Sequence, residues 1–398
     1  MTSRAGRLPL LDSLRALATL AILLAHTFGP SGVHANARLH PYSTRFEFTI
    51  TIFMLLSGFL LYRPYARARL DGKPWPSTKL YAWNRFIRVA PPYWVALTVT
   101  ALWISTAGLG VFTARGIPTY YLFGQVYSND TILGGIAIAW FLCILVAFYV
   151  FLPIYARLVR NAGGDDRDRR FRAELLGCAA LFAFGVGYRV FGDYAGLRDD
   201  PGYIQFLPAY FDWLAPGMAL AVISVWYAGR RSPAPLRAFE RFPSLGFAIA
   251  LLAFWVVSKR IGLSGPYPDA HDHLQYFEEH LLNLAIGLGL FLPVAFGDPR
   301  HGLTRRLLGN PVLLWLATIS YGILLYHLAV IEQLKDWSFD PGSGAVSYVV
   351  WPIVTLALAI PFALANRFLI ERPLERLRPF GRVPKTRPPA APAAAAAE

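Results

Sequence analysis

Apolar residues along this chain gather into ten long runs separated by short polar or charged stretches. The runs cover roughly residues 8–28, 46–62, 90–111, 132–155, 173–191, 204–227, 244–260, 279–297, 311–333 and 347–370. A helix rises about 1.5 Å per residue and the hydrocarbon of a bilayer is about 30 Å thick, so most runs are long enough to span it. The runs at 46–62 and 244–260 sit at the lower limit. The pattern predicts an all-α integral membrane protein, a bundle of about ten transmembrane helices. Pro91 and Pro92 read as the start of the third helix, where a missing N–H costs little. The first run follows Arg4 and Arg7, as a signal peptide would, but it carries Arg15 and His26 and no small-residue cleavage site follows. It is read as a retained helix.

Composition agrees with this pattern. Apolar residues make up 55% of 398, charged residues 16%, and mean hydropathy is +0.41. A soluble domain carries nearer a quarter charged residues. The formal charge of +14 raises the question of nucleic acid. Its arrangement answers against it: Lys and Arg cluster in the short stretches at 63–88, 157–172, 230–241, 300–306 and 372–387, which all fall on one side of a ten-span bundle, the side of the N-terminus. The positive-inside rule then places both termini in the cytoplasm and the protein in the cell (inner) membrane. The loops expected opposite are poorer in basic residues, and one reads Asp269, His271, Asp272, His273. Lys259 and Arg260 depart from the rule and are read as snorkelling to the outer interface. Residues 379–398 are Pro- and Ala-rich and are expected to form a disordered tail after a membrane domain at 1–378. No second globular domain is expected.

Cys143 and Cys178 lie within apolar runs and read as packing residues. CxxC, HExxH, P-loop and Rossmann patterns are absent, so neither a metal nor a permanently bound cofactor is expected.

The first run carries the sharpest chemical signal. Arg15 and His26 are eleven residues apart; at about 100° per residue they fall within about 20° of one face, some 16 Å apart along the axis. Asp12 and Thr19 share that face. An ionisable residue within a span costs about 2.5–3.5 kcal/mol on insertion scales, so it pairs or lines a cavity. Structural alternatives are a snorkelling Arg15 paired with Asp12, and a His26 bonded to another helix. In a functional reading, an arginine at the cytoplasmic mouth grips phosphate and a deeper histidine accepts a proton from a hydroxyl.

These residues carry a resemblance. Leu11-Asp12-Ser13-Leu14-Arg15-Ala16 followed by His26 resembles the opening of acyltransferase family 3, the multi-pass membrane acyltransferases. Four further segments resemble family motifs in the same order: Phe53 to Leu60, Arg85 to Trp94, Ser320-Tyr321-Gly322 with His327, and Glu371-Arg372-Pro373. The resemblance implies acyl transfer from acyl-CoA, as cosubstrate, to a hydroxyl of a carbohydrate, lipid or secondary metabolite, with acetyl or another short chain as the acyl group. Carried over by position, His26 is the general base and Arg15 a catalytic or donor-binding partner. Arg85 and Arg88 are candidates for the coenzyme's phosphates, with topology as the alternative. Ser57, Gly58, Tyr93, Trp140, Tyr326, His327 and Glu371 are expected to line a tunnel or to serve structure. Close helix packing is favoured for Ser57-Gly58 and helix capping for Glu371.

One position departs from the family. Its fourth-span motif runs from Trp to a Glu and then Phe-Tyr; here the match is Trp140 to Leu145, then Phe148-Tyr149, with Leu145 where the Glu stands. Glu47, Asp212, Glu279 and Glu332 are candidate substitutes. Two other functions fit parts of the pattern. One is a transporter or flippase lined by Arg15 and His26, weakened by the lack of an internal repeat. The other is a non-catalytic member that binds acyl-CoA.

Overall fold

The structure is a computed structural model that describes residues 9–46, 48–104, 110–198, 200–259, 272–298 and 300–377. Arg4, Arg7, Glu47, Arg260, Asp269, His271 and the tail from 379 lie outside the described residues. Among the described residues all regular structure is helical, and ten of the helices are long. They are α1 (Pro9–Thr27), α2 (Phe48–Leu70), α3 (Thr78–Trp103), α4 (Trp140–Leu158), α5 (Arg167–Tyr194), α6 (Phe211–Trp226), α7 (Pro243–Lys259), α8 (His273–Ala295), α9 (Pro311–Asp336) and α10 (Ala345–Ala365). Each of the ten expected runs falls on one of them. Eight helices among the described residues are long and apolar enough to cross a membrane. The pair formed by the short helix Ala234–Arg241 and α7, bent by 98°, makes a ninth. α3 is not among them; its first half carries Lys79, Arg85 and Arg88.

Helix ends follow local chemistry rather than the edges of the apolar runs. The Ser77 side chain accepts from Leu80 N and starts α3 well before the third run. Pro91 and Pro92 therefore sit inside that helix, not at its start. Proline within a helix leaves carbonyls of the preceding turn without an N–H partner. Here those are the carbonyls of Ile87 and Arg88; the carbonyl of Val89, next along the chain, accepts from the Tyr321 hydroxyl of α9 at 2.9 Å. Asp166 caps α5 at Arg169 N (2.6 Å), and Asp272 with Gln275 forms a reciprocal capping box on α8. Both helices thus begin six residues before their apolar runs, as backbone hydrogen bonding continues into polar sequence.

α2 is the central helix. It is apolar on all sides, the pattern of a helix enclosed by others, and it packs against α1, α4, α5, α6 and α8. Met54, Leu55, Phe59 and Tyr62 are fully buried. Its closest neighbour is α6: a Cβ on Gly58 would lie 2.2 Å from the Leu214 carbonyl oxygen, and one on Gly217 would lie 2.3 Å from the Leu55 carbonyl oxygen. Two glycines thus let the backbones touch. α1 packs against α9, and α10 packs against both. Cys143 and Cys178 are buried and unpaired as thiols.

The arginine-rich loops meet at one end of the bundle. Arg69 pairs with Glu174 at 2.8 Å and Arg167 with Asp71 at 3.0 Å, while the Trp83 indole donates to Leu377 O at 3.4 Å. Arg305, expected only as a topology marker, is 1% exposed. Its guanidinium donates to five carbonyls, those of Phe239, Glu240, Pro293, Phe296 and His301, and so ties the end of α8 to the short helix before α7. At the opposite end, Arg45 pairs with Glu279 at 2.9 Å and Asn36 donates to Tyr348 at 3.2 Å. Lys259, the expected exception to the positive-inside pattern, has its ammonium 4.9 Å from the centre of the Tyr42 ring.

Candidate active site on the first helix

The shared face expected on α1 is present, and its two ends meet different surroundings. At the basic end the Arg15 Nη1 donates to Asp12 Oδ1 at 3.2 Å, and Thr19 Oγ1 donates to the Arg15 carbonyl at 3.0 Å. The Arg15 and Asp12 side chains keep 20% and 24% of their exposure, so the pair lines an accessible surface. One carboxylate oxygen leaves most of the guanidinium donors available. Arg88 and Tyr149 lie within electrostatic range of Arg15. Arg88 also reaches Tyr321 and Glu371, and Arg85, one turn earlier on α3, reaches Tyr81. Arg15 and Arg88 therefore lie near one another, with Arg85 one turn away on α3. Arg88 is exposed and makes no hydrogen bond to a described residue. Two guanidinium groups brought this near one another favour an anion between them.

At the other end of the face, His26 meets His327 of α9. The Nδ1 of His26 lies 2.8 Å from Nε2 of His327, and the rings stack with centroids 5.0 Å apart. His327 is fully buried, and its Nδ1 is 2.9 Å from the Leu324 carbonyl and 3.1 Å from that of Ile323. Carbonyls only accept, so His327 Nδ1 carries the hydrogen. In the neutral ring its Nε2 is then an acceptor, and His26 Nδ1 must donate to it. The remaining lone pair of His26 is thereby placed on Nε2, away from His327. An imidazole within the bundle with a fixed orientation, on the same helix as Arg15, is an arrangement suited to proton abstraction.

Residues 8–365 match the acyltransferase domain family. The chain belongs to that family. It is 26% identical over 356 residues to nodulation protein 10 of Rhizobium leguminosarum bv. viciae, covering 83% of this chain and 82% of that one. It is 25% identical over 405 residues to acyltransferase MdmB of Streptomyces mycarofaciens, covering 95% and 94%. No solved structure matches. The chain is thus a multi-pass membrane member of an acyltransferase family, with the motif residues distributed over six helices.

The remaining expected positions of this acyltransferase family member fall away from the histidine pair. Gly58 sits in the α2–α6 crossing, and Ser57 beside it is half-buried. Tyr93 donates to the Tyr120 carbonyl at 3.0 Å and stacks on Phe123, holding the segment after α3. Trp140 opens α4 with its ring near Phe141 and Tyr210. Tyr326 stacks on Phe362 of α10. Glu371 accepts from Asn366 and Arg367 in a π-helical turn that extends α10.

Leu145 is 5% exposed in the apolar core. Of the candidate substitutes, Glu332 pairs with exposed Lys335 and Glu279 with Arg45. Asp212 is different: its Oδ2 accepts from His280 Nε2 at 2.5 Å, with Arg189 Nε at 3.7 Å. His280 stacks on Trp213 at 4.2 Å, and Arg189 donates to Tyr276 and Ala209 O. This buried group joins α5, α6 and α8. His280 and Arg189 were not among the expected site residues, although an ionisable residue inside an apolar run is itself the signal. Beyond the C-terminal end of α1, His34 Nδ1 lies 2.8 Å from Ser43 Oγ, and burial with nearby His40 holds the His34 imidazole below its usual pKa. Among the described residues no group of three His, Cys, Asp or Glu is placed to hold a metal.

Proposed function

We propose that this protein transfers an acyl group, acetyl or another short chain, from a coenzyme A thioester to a hydroxyl of a carbohydrate, lipid or secondary metabolite. The observation that carries the reading is the His26–His327 hydrogen bond, which leaves His26 Nε2 as the open base. The donor enters at the basic end, with its phosphates on Arg15, Arg88 and Arg85, and its acyl-bearing arm runs along α1. The two stations on that helix are about 16 Å apart. His26 Nε2 takes the proton of the acceptor hydroxyl. The oxygen attacks the thioester carbonyl, the carbon–sulfur bond breaks, and the proton passes from His26 to the departing sulfur. Coenzyme A leaves to the cytoplasm, and the protein works in the cell membrane.

The test uses full-length protein in nanodiscs, labelled acetyl-CoA and a panel of hydroxylated acceptors. Label is expected in the acceptor with the wild type and at background with His26→Ala, while that variant stays folded in the membrane. Full transfer by His26→Ala would sink the assignment. Movement of acceptor across a vesicle membrane without label transfer would point to a transporter instead.

A further inference from the structure

At the end of the bundle away from the arginines, a cavity of about 380 Å³ opens between three segments. They are the turn that follows α1, the link between α9 and α10, and the first turns of α10. Pro30, on its rim, stands one helical turn beyond His26. The cavity therefore lies at the ends of α1 and α9, the two helices that carry the histidine pair, and of α10, which packs against both. Its volume is within the range of small-molecule sites, about 300–1,000 Å³.

The lining combines opposite polarities. α10 starts after Gly344 with no side chain capping it, so the N–H groups of its first turn are left to other acceptors. Ser347, in that turn, is 4% exposed, and its hydroxyl makes no hydrogen bond to a described residue. Asp340 lines the same space. One of its oxygens accepts from Gly342 N at 2.8 Å, which leaves the other for a ligand. Trp351, braced edge-on by Phe339 at 5.2 Å, and Tyr348 add aromatic surface.

These groups select by charge. A carboxylate in the wall repels an anion, and an uncapped helix start repels a cation. A neutral ligand carrying several hydroxyls satisfies both: its oxygens accept from the helix start and Ser347, and a hydroxyl donates to Asp340. Its C–H faces lie on the rings. We propose that this cavity docks the acyl acceptor and that the docked part is a neutral polyhydroxylated group, such as a glycosyl unit. The assignment of the ligand as acceptor rests on the acyl-transfer reading; the binding site itself does not.

Saturation-transfer NMR on the full-length protein in nanodiscs tests it, with methyl β-D-glucopyranoside as probe and glucose 6-phosphate and glucosamine as charged comparators. The neutral glycoside is expected to bind. Ser347→Val and Asp340→Leu, on different walls, are each expected to weaken it roughly tenfold, about 1.4 kcal/mol, with unchanged thermal unfolding. The charged sugars are expected to bind more weakly. No binding of the glycoside, binding by both variants as tight as the wild type's, or tighter binding of glucose 6-phosphate overturns the proposal. Acetyl-CoA turnover in the same samples separates the two readings. Acyl transfer with an acceptor KM unaffected by both variants overturns the cavity and leaves the enzyme standing. Glycoside binding that depends on Ser347 and Asp340, without any use of acetyl-CoA, upholds the site and overturns the enzyme.

Discussion

The Nδ1 hydrogen of His327 is fixed by two backbone carbonyls, and through it the orientation of His26 is fixed as well. On the acyl-transfer reading proposed above, His327 is a positioning residue that must accept a hydrogen bond. His327→Gln, which keeps an acceptor oxygen, is expected to retain most of kcat. His327→Leu, which has none, is expected to lower kcat roughly a hundredfold with little change in KM, since a misplaced proton on a catalytic imidazole is costly. Equal loss in both variants would mean that His327 serves packing alone. Arg88→Ala is expected to raise the KM for acetyl-CoA severalfold while kcat holds, as loss of a phosphate contact should. Leu145→Glu is expected to give less folded protein rather than more activity, read as the monodisperse fraction on size exclusion, because the site is apolar and an unpaired carboxylate there stays uncompensated. The common face of Arg15 and His26 was legible in the sequence because it depends only on helical spacing within nineteen residues. The partner of His26 was not, because it lies 301 residues away and nothing local marks which helix returns to it. The pairing of Asp212, a candidate in the sequence, with His280 was hidden for the same reason.

Between helices, the contacts that set the bundle are made by residues that carry no chemistry. Gly58 and Gly217 bring α2 and α6 into backbone contact. Gly217→Ala is expected to destabilise the protein by about 1–3 kcal/mol, as overpacking does, seen as a lower unfolding temperature in detergent. An unchanged midpoint would show that the crossing relaxes freely. The apolar runs predicted the number and order of the helices, since hydrocarbon demands them. They did not predict the ends: Ser77, Asp166 and Asp272 start helices in polar sequence, where capping rather than hydropathy decides. Pro91 and Pro92 were misplaced because proline is favoured at a first turn yet also occurs inside a long helix, where the two leave only the Ile87 and Arg88 carbonyls without an N–H. Arg305 shows a further limit. A basic residue in a loop reads as a topology signal, yet this one is sunk among five carbonyls.

Across the whole molecule, the two ends are chemically unlike: arginines at one, the cavity with Asp340 and Ser347 at the other. Because Cys143 and Cys178 are buried, single cysteines can report sidedness against a quiet background. With an impermeant maleimide on intact cells, Ser343→Cys is expected to label and Lys73→Cys to label only after permeabilisation; the reverse would invert the topology. The hydrogen bond between His26 and His327 also has a consequence for how the protein is made. Its two halves come from the first helix and the ninth, so a ribosome has nearly finished the chain before the base gains its orientation. A nascent or truncated product that has inserted only its early helices holds the arginine mouth but lacks the second histidine. On the acyl-transfer reading proposed above, such a product would bind a thioester without a properly set base to spend it, and cytoplasmic acyl-CoA would be spared until assembly is complete.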